Sequence, residues 1–240
     1  MSRPATNAQN MDTESSGENQ RAADSSAEGA RVTAGLTEDS ALALLKSPDA
    51  TAAALAQLAK NLITSKSRKV LVALIAHSRT PRHVSIPLLR TLFTFDLMNL
   101  ALTAAVAPDV KRAAEEQILT RLESLPLGQK ITLARRASGR VAAALLQSSD
   151  QRIISPALDN KQLTQALVVQ ALMKSRAPER LFVLVSDHVS WQLHREVQIA
   201  LLRSQKTPPE RAREFAKNFS PEFLQEIVPA PKSEAPDLQV

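Results

Sequence analysis

A chain of 240 residues with a net charge of +6 can form one or two packed domains, and its 44% hydrophobic content supplies a sizeable core. It has no cysteine, which excludes disulfides, thiolate-held metals and clusters, and cysteine nucleophiles. Aromatics make up only 3% and Tyr is absent, so the Ala- and Leu-rich apolar fraction suits closely packed helices better than sheets.

Residues 1–37 contain Met1, Met11, Val32 and Leu36 as their only large apolar side chains. Such a stretch cannot bury enough surface to offset its ordering entropy and is expected to be a disordered, acidic and polar tail. The Pro-rich residues 229–240 are expected to be disordered as well. Charge is unevenly spread. Residues 1–40 hold three basic and seven acidic residues, while 41–228 hold 26 basic and 15 acidic ones, a net of +11. Met1-Ser2-Arg3-Pro4-Ala5-Thr6 lacks the apolar run of a signal peptide. The densest apolar run, Val70 to Ala76, is far shorter than the roughly 18 residues of a membrane span. A cytoplasmic location is the resulting expectation.

From residue 38 to 228, apolar residues recur at helical spacing and are interrupted by turn signals. The spacing predicts helices over 38–46, 51–61, 67–77, 81–92, 96–106, 109–122, 127–136, 139–147, 150–158, 164–174, 178–187, 190–204, 208–218 and 221–228. Thr80-Pro81, Thr207-Pro208 and Ser220-Pro221 each place a hydroxyl where it can cap a helix N-terminus ahead of a proline. Thr207-Pro208-Pro209-Glu210 fits a capping box. Ala107-Pro108 and Ala177-Pro178 are proline starts without the hydroxyl.

These segments make about seven short antiparallel helix pairs with a step near 30 residues, a period typical of solenoids. The chain also aligns with itself. At an offset of 127, residues 68–81 face 195–208 with six of fourteen positions identical, which marks an internal repeat.

His77-Ser78-Arg79-Thr80-Pro81, followed by Leu88-Leu89 and Leu92, resembles the bacterial leucine-rich-repeat-variant and HEAT-like repeats. Leu45-Lys46-Ser47-Pro48-Asp49 with Leu55 to Ala59, and Val197 through Phe215, are similar in a looser way. The resemblance implies an all-α, HEAT/ARM-like α-solenoid and says little about function, because helical-repeat families serve many partners. The family's cysteine-bound cluster cannot be carried over to a chain without cysteine. Pro87 is a further departure, placed where it should kink or restart a helix.

Chemistry-bearing groups are sparse. His77/His83 and His188/His194 are each six apart, about 600° around a helix, so neither pair is a helical metal clamp. His77 reads as a cap at a helix C-terminus. No nucleophile elbow, phosphate-cradling loop or His-Glu-x-x-His occurs. Glu115 and Glu116 are neighbours that a helix points apart, expected to be solvated. Trp191, the only tryptophan, is read as filling space at a repeat junction. The chain is therefore expected to be no enzyme and to carry no cofactor or metal.

The charge pattern is the feature that stands out. No acidic residue occurs from Ala50 to Phe95, a stretch carrying Lys60, Lys66, Arg68, Lys69, Arg79, Arg82 and Arg90. Arg82, Ile86 and Arg90 share a helix face if Pro87 does not break it. A second acid-free run, Ser124 to Ser149, adds Lys130, Arg135, Arg136 and Arg140. Lys66, Arg68, Lys69, Arg79, Arg82, Arg90, Arg135, Arg136 and Arg140 form the expected partner-binding set. Expected partners are an acidic protein or peptide, held by a non-enzymatic scaffold or adaptor, or a nucleic-acid backbone bound without sequence preference.

Overall fold

Thr37 fixes the first helix. Its Oγ1 accepts the Ser40 N–H, and Glu38 and Asp39 follow at the positive end of the dipole. This opens α1 (Glu38–Lys46) of a computed structural model that describes residues 37–47, 50–65 and 67–227. After it come α2 (Ala52–Ser65), α3 (Arg68–Ala76), α4 (Arg82–Leu88), α5 (Thr94–Leu102), α6 (Pro108–Arg121) and α7 (Leu127–Arg136). The second half of the chain adds α8 (Gly139–Leu145), α9 (Gln151–Leu158), α10 (Gln165–Leu172), α11 (Glu179–Asp187), α12 (Arg195–Leu202), α13 (Pro209–Ala216) and α14 (Pro221–Ile227). Single 3-10 turns lie at Leu89–Thr91, Leu122–Ser124 and Trp191–Leu193. Every regular element among the described residues is helical, and none is long and apolar enough to cross a membrane. The two terminal segments expected to be disordered lie outside the described residues, apart from Thr37.

The chain divides into two compact units, residues 1–114 and 115–240. In the first, α3 packs against α1 and α5, and its core includes Leu55, Leu58, Val70, Leu74, Leu89 and Leu97. In the second, α7, α9 and α11 form one row of neighbours, and α8, α10 and α12 form another. Each helix there meets the next but one in sequence. Leu133, Ile154, Leu181 and Phe182 fill the first row, and Val141, Val168 and Leu201 the second.

One turn recurs between these helices. The backbone N–H groups of Ala50, Thr80, Leu92, Val106, Leu163, Ala177 and Thr207 each donate to the carbonyl three residues earlier. All seven residues are buried, and in each case the next helix starts two residues later. The turn thus closes over its own buried side chain and leaves only one residue before the helix.

Two of the three hydroxyl–proline turns depart from the cap chemistry expected of them. The Thr80 and Thr207 hydroxyls do not cap α4 and α13. They donate backwards to Leu74 O and Leu201 O, both at 2.6 Å, and so give these last-turn carbonyls of α3 and α12 a second donor beside the His77 and Ser204 N–H groups. Pro81 and Pro208 occupy the N-cap positions, and the capping box at Glu210 does not form. Ser220 behaves as expected, its Oγ accepting the Phe223 N–H ahead of Pro221.

Pro87 lacks the N–H that an α-helix would direct at the fourth carbonyl back. The helix passes into the 3-10 turn Leu89–Thr91 one residue beyond it. Trp191 is 8% exposed and donates from Nε1 to Leu158 O, a packed role. The aligned repeats put Val70, Ala73, Leu74, Ala200 and Leu201 at inward positions; all are buried except Ala73, which is half-buried because it lines an open groove.

Candidate binding surface

Helix α3 starts against the usual rule. Its first turn contains Arg68 and Lys69 and no acidic residue, and Ser67 at the N-cap makes no side-chain capping bond. Cations at that end cost the helix a few tenths of a kcal/mol each, roughly, because the dipole there is positive. Helix stability alone does not explain them.

Arg68 is held by Asp96 of α5. Nε donates to Oδ2 and Nη2 to Oδ1, both at 2.7 Å, and this paired carboxylate keeps the guanidinium more firmly protonated than usual. Asp96 itself is buried. The Arg68 guanidinium also lies over the Phe93 ring, 5.0 Å from its centre, while Phe93 remains 65% exposed. Lys69 Nζ stands 3.6 Å from Glu38 of α1 and its side chain is 82% exposed. Glu38, Ser67, Arg68, Lys69, Val72, Ala73 and Asp96 line an open groove of about 760 Å³. Its floor is apolar and half-buried, and its rim is charged.

The other expected site residues are more scattered. Lys66 lies outside the described residues. Arg79 comes after the far end of α3, where its Nη1 donates to Ala50 O at 3.4 Å. Arg82, at the start of α4, pairs with Asp109. The eight-residue rise of α3 from Arg68 to Ala76 is about 12 Å, so Arg68 and Arg79 belong to opposite ends of one helix. Arg90 sits in the 3-10 turn, beyond the α-helical face of Arg82 and Ile86, because of Pro87.

In the second unit, Arg135 and Arg136 are exposed in the last turn of α7, where cations suit the dipole. Arg140 stands 2.6 Å from Glu116 and 3.7 Å from Glu115. The two glutamates thus converge on one guanidinium rather than standing apart in solvent. Arg140 also helps line a smaller groove of about 250 Å³ with Leu119, Ala143, Gln170, Ala171 and Lys174.

Acid-free in sequence is therefore not acid-free in space. The carboxylates come from roughly one helix pair away: Arg68 to Asp96, Lys69 to Glu38, Arg82 to Asp109, and likewise His188 to Asp159. Glu38 and Asp96 in the groove, and Phe93 beside Arg68, are neighbours of the cations that sequence reasoning missed. Charges of opposite sign spaced near the 30-residue step are the signal that could have found the two acids.

His77, the C-cap of α3, accepts the Arg79 N–H at Nδ1. Among the described residues no three His, Asp or Glu side chains gather as metal ligands. Comparison with family models, with curated proteins and with solved structures gives no match.

Proposed function

We propose that the chain is a helical-repeat binding module, a non-enzymatic scaffold or adaptor that holds an acidic protein segment on a basic surface. Its helix pairs are read as the turns of an α-solenoid of the HEAT-like kind, and its location as cytoplasmic. One observation carries the repeat reading. The turn after α3 and the turn after α12, 127 residues apart, are built with the same hydrogen bonds. Stacked repeats of this type expose a long face that suits extended partners.

The basic character of that face comes from cations that helix formation does not require. Lys69 is the plainest, being almost fully exposed at the start of α3. Nucleic acid is the competing anion. Binding of the purified full chain to an acidic peptide and to duplex DNA across a salt series separates the two. Duplex binding falls by about 0.9 in log affinity per unit log salt for each phosphate contact. The adaptor reading expects the peptide to bind and the duplex to bind weakly or not at all. A tight, steeply salt-dependent duplex complex with no peptide binding overturns it.

A further inference from the structure

We infer that the groove along the start of α3 is the seat of the acidic partner, taking a segment in which a carboxylate side chain neighbours an apolar one. This rests on the adaptor reading and adds the place and the chemistry. Three features of the groove select that occupant.

The first is charge. Arg68 turns Nε and Nη2 toward Asp96, yet its side chain is 57% exposed and lines the groove. Lys69 adds a second cation with 82% exposure, and α3 directs the positive end of its dipole to the same spot. The second is the floor. Val72 and Ala73 are half-buried apolar side chains in a cleft that the described residues leave open. The third lies beside the groove. Phe93 stands 65% exposed against Arg68, a planar face for an apolar side chain next to a guanidinium that binds carboxylates. Asp96 acts as the brace that fixes the guanidinium. Glu38 sits at 3.6 Å from Lys69, a long contact between exposed groups, and behaves as a built-in competitor for the incoming carboxylate.

That competitor makes the test directional. The full chain and its variants are titrated against a fluorescein-labelled peptide of alternating Glu and Leu, with a Lys–Leu peptide and labelled duplex DNA as the other arms. Lys69→Glu is expected to weaken the Glu–Leu complex by about tenfold or more, while Glu38→Gln tightens it by about two- to threefold. Lys69→Glu places an acid at the positive end of α3, so its melting temperature should not fall, and lost binding then cannot be lost folding.

Unchanged affinity in Lys69→Glu overturns the groove. If Arg135→Glu with Arg136→Glu then removes binding instead, the adaptor reading stands on another surface. Absence of Glu–Leu binding by the unaltered chain overturns both. Duplex binding that Lys69→Glu abolishes, without peptide binding, assigns the groove to nucleic acid and overturns the proposal. Self-association of the unaltered chain in sedimentation, abolished by Lys69→Glu, also overturns it by making a second copy the occupant.

Discussion

Thr207 repeats, in the second unit, the hydrogen bond that Thr80 makes in the first. Each hydroxyl donates at 2.6 Å to the carbonyl of the leucine six residues earlier, and both of those leucines are fully buried. The likeness extends around the turn. Arg79 reaches Ala50 O with its guanidinium, and Lys206, at the same offset of 127, reaches Ala177 O with its ammonium. Removing one hydroxyl tests how much the turn depends on it. Thr80→Val keeps the shape and leaves the Leu74 carbonyl with the His77 N–H alone, so it should cost about 1 kcal/mol in urea unfolding. Thr80→Ser should cost clearly less. A Val variant as stable as the parent beside a weakened Ser variant would show that the methyl, not the hydroxyl, matters there.

His77 and Ser204 are the second equivalent pair. His77 Nδ1 accepts from the Arg79 N–H and Ser204 Oγ from the Lys206 N–H, both at 3.2 Å. A serine is therefore already known to suit this turn. His77→Ser should stay within about 0.5 kcal/mol of the parent, as for surface changes that keep their hydrogen bond. His77→Ala, which offers no acceptor, should lose about 1 kcal/mol. If the serine variant is the worse of the two, the equivalence of the turns is wrong at this position.

All fourteen α-helices among the described residues were legible because their signals are local: apolar spacing inside each segment, and Pro or hydroxyl residues at the breaks. Bond direction at a break was not. Thr80 before Pro81 reads as a cap for the next helix, and nothing local says that its hydroxyl turns back to Leu74. The acidic neighbours of the charge stripe were not legible because they are not local. Arg68 meets an acid 28 residues away, so the run from Ala50 to Phe95 looks unopposed until the helix-pair step is applied to charges as well as to apolar residues. Ala73 was misplaced because periodicity gives the direction of a side chain but not where its row of helices leaves a gap.

Gly139 shows how closely those rows approach. A Cβ added there would stand 2.1 Å from the Gln162 carbonyl oxygen and 3.0 Å from its carbon. Backbone cannot swing aside as a side-chain tip can, so α8 or the turn after α9 must move. Gly139→Ala would favour the helix by roughly 1 kcal/mol on propensity alone. Here it should destabilise, by about 1–3 kcal/mol in thermal or urea unfolding, as overpacking does. A stabilised variant would mean that the two segments stand further apart.

Ser85 offers a gain. It is fully buried in α4 and its Oγ has no hydrogen-bond partner among the described residues. An unsatisfied buried hydroxyl costs its desolvation without return. Ser85→Ala removes that atom and improves helix propensity, so it should be neutral or stabilising by up to about 1 kcal/mol. A loss of more than about 1 kcal/mol in urea unfolding would reveal a partner for the hydroxyl.

Asp150 gives the fold an acid-sensitive point. Its carboxylate caps α9 by accepting the Arg152 N–H at 2.9 Å, and it also receives the Arg152 guanidinium at 2.8 Å. Those bonds to the charged form, the side-chain ones foremost, hold the Asp150 carboxyl below its ordinary range. A depressed folded value means that the contribution is complete above the unfolded value, about 3.9, and is lost as pH falls through the lower folded one. The Asp150 carboxyl carbon, followed by NMR, should therefore titrate with a midpoint below about 3.9, with the α9 amides losing protection over the same range. Asp150→Asn separates cap from charge. Asparagine caps nearly as well but has no proton to take up, so α9 should persist and its acid sensitivity should disappear. A midpoint at or above the reference value, or an Asn variant that still loosens at α9 in the same pH range, would move the acid-sensitive group elsewhere.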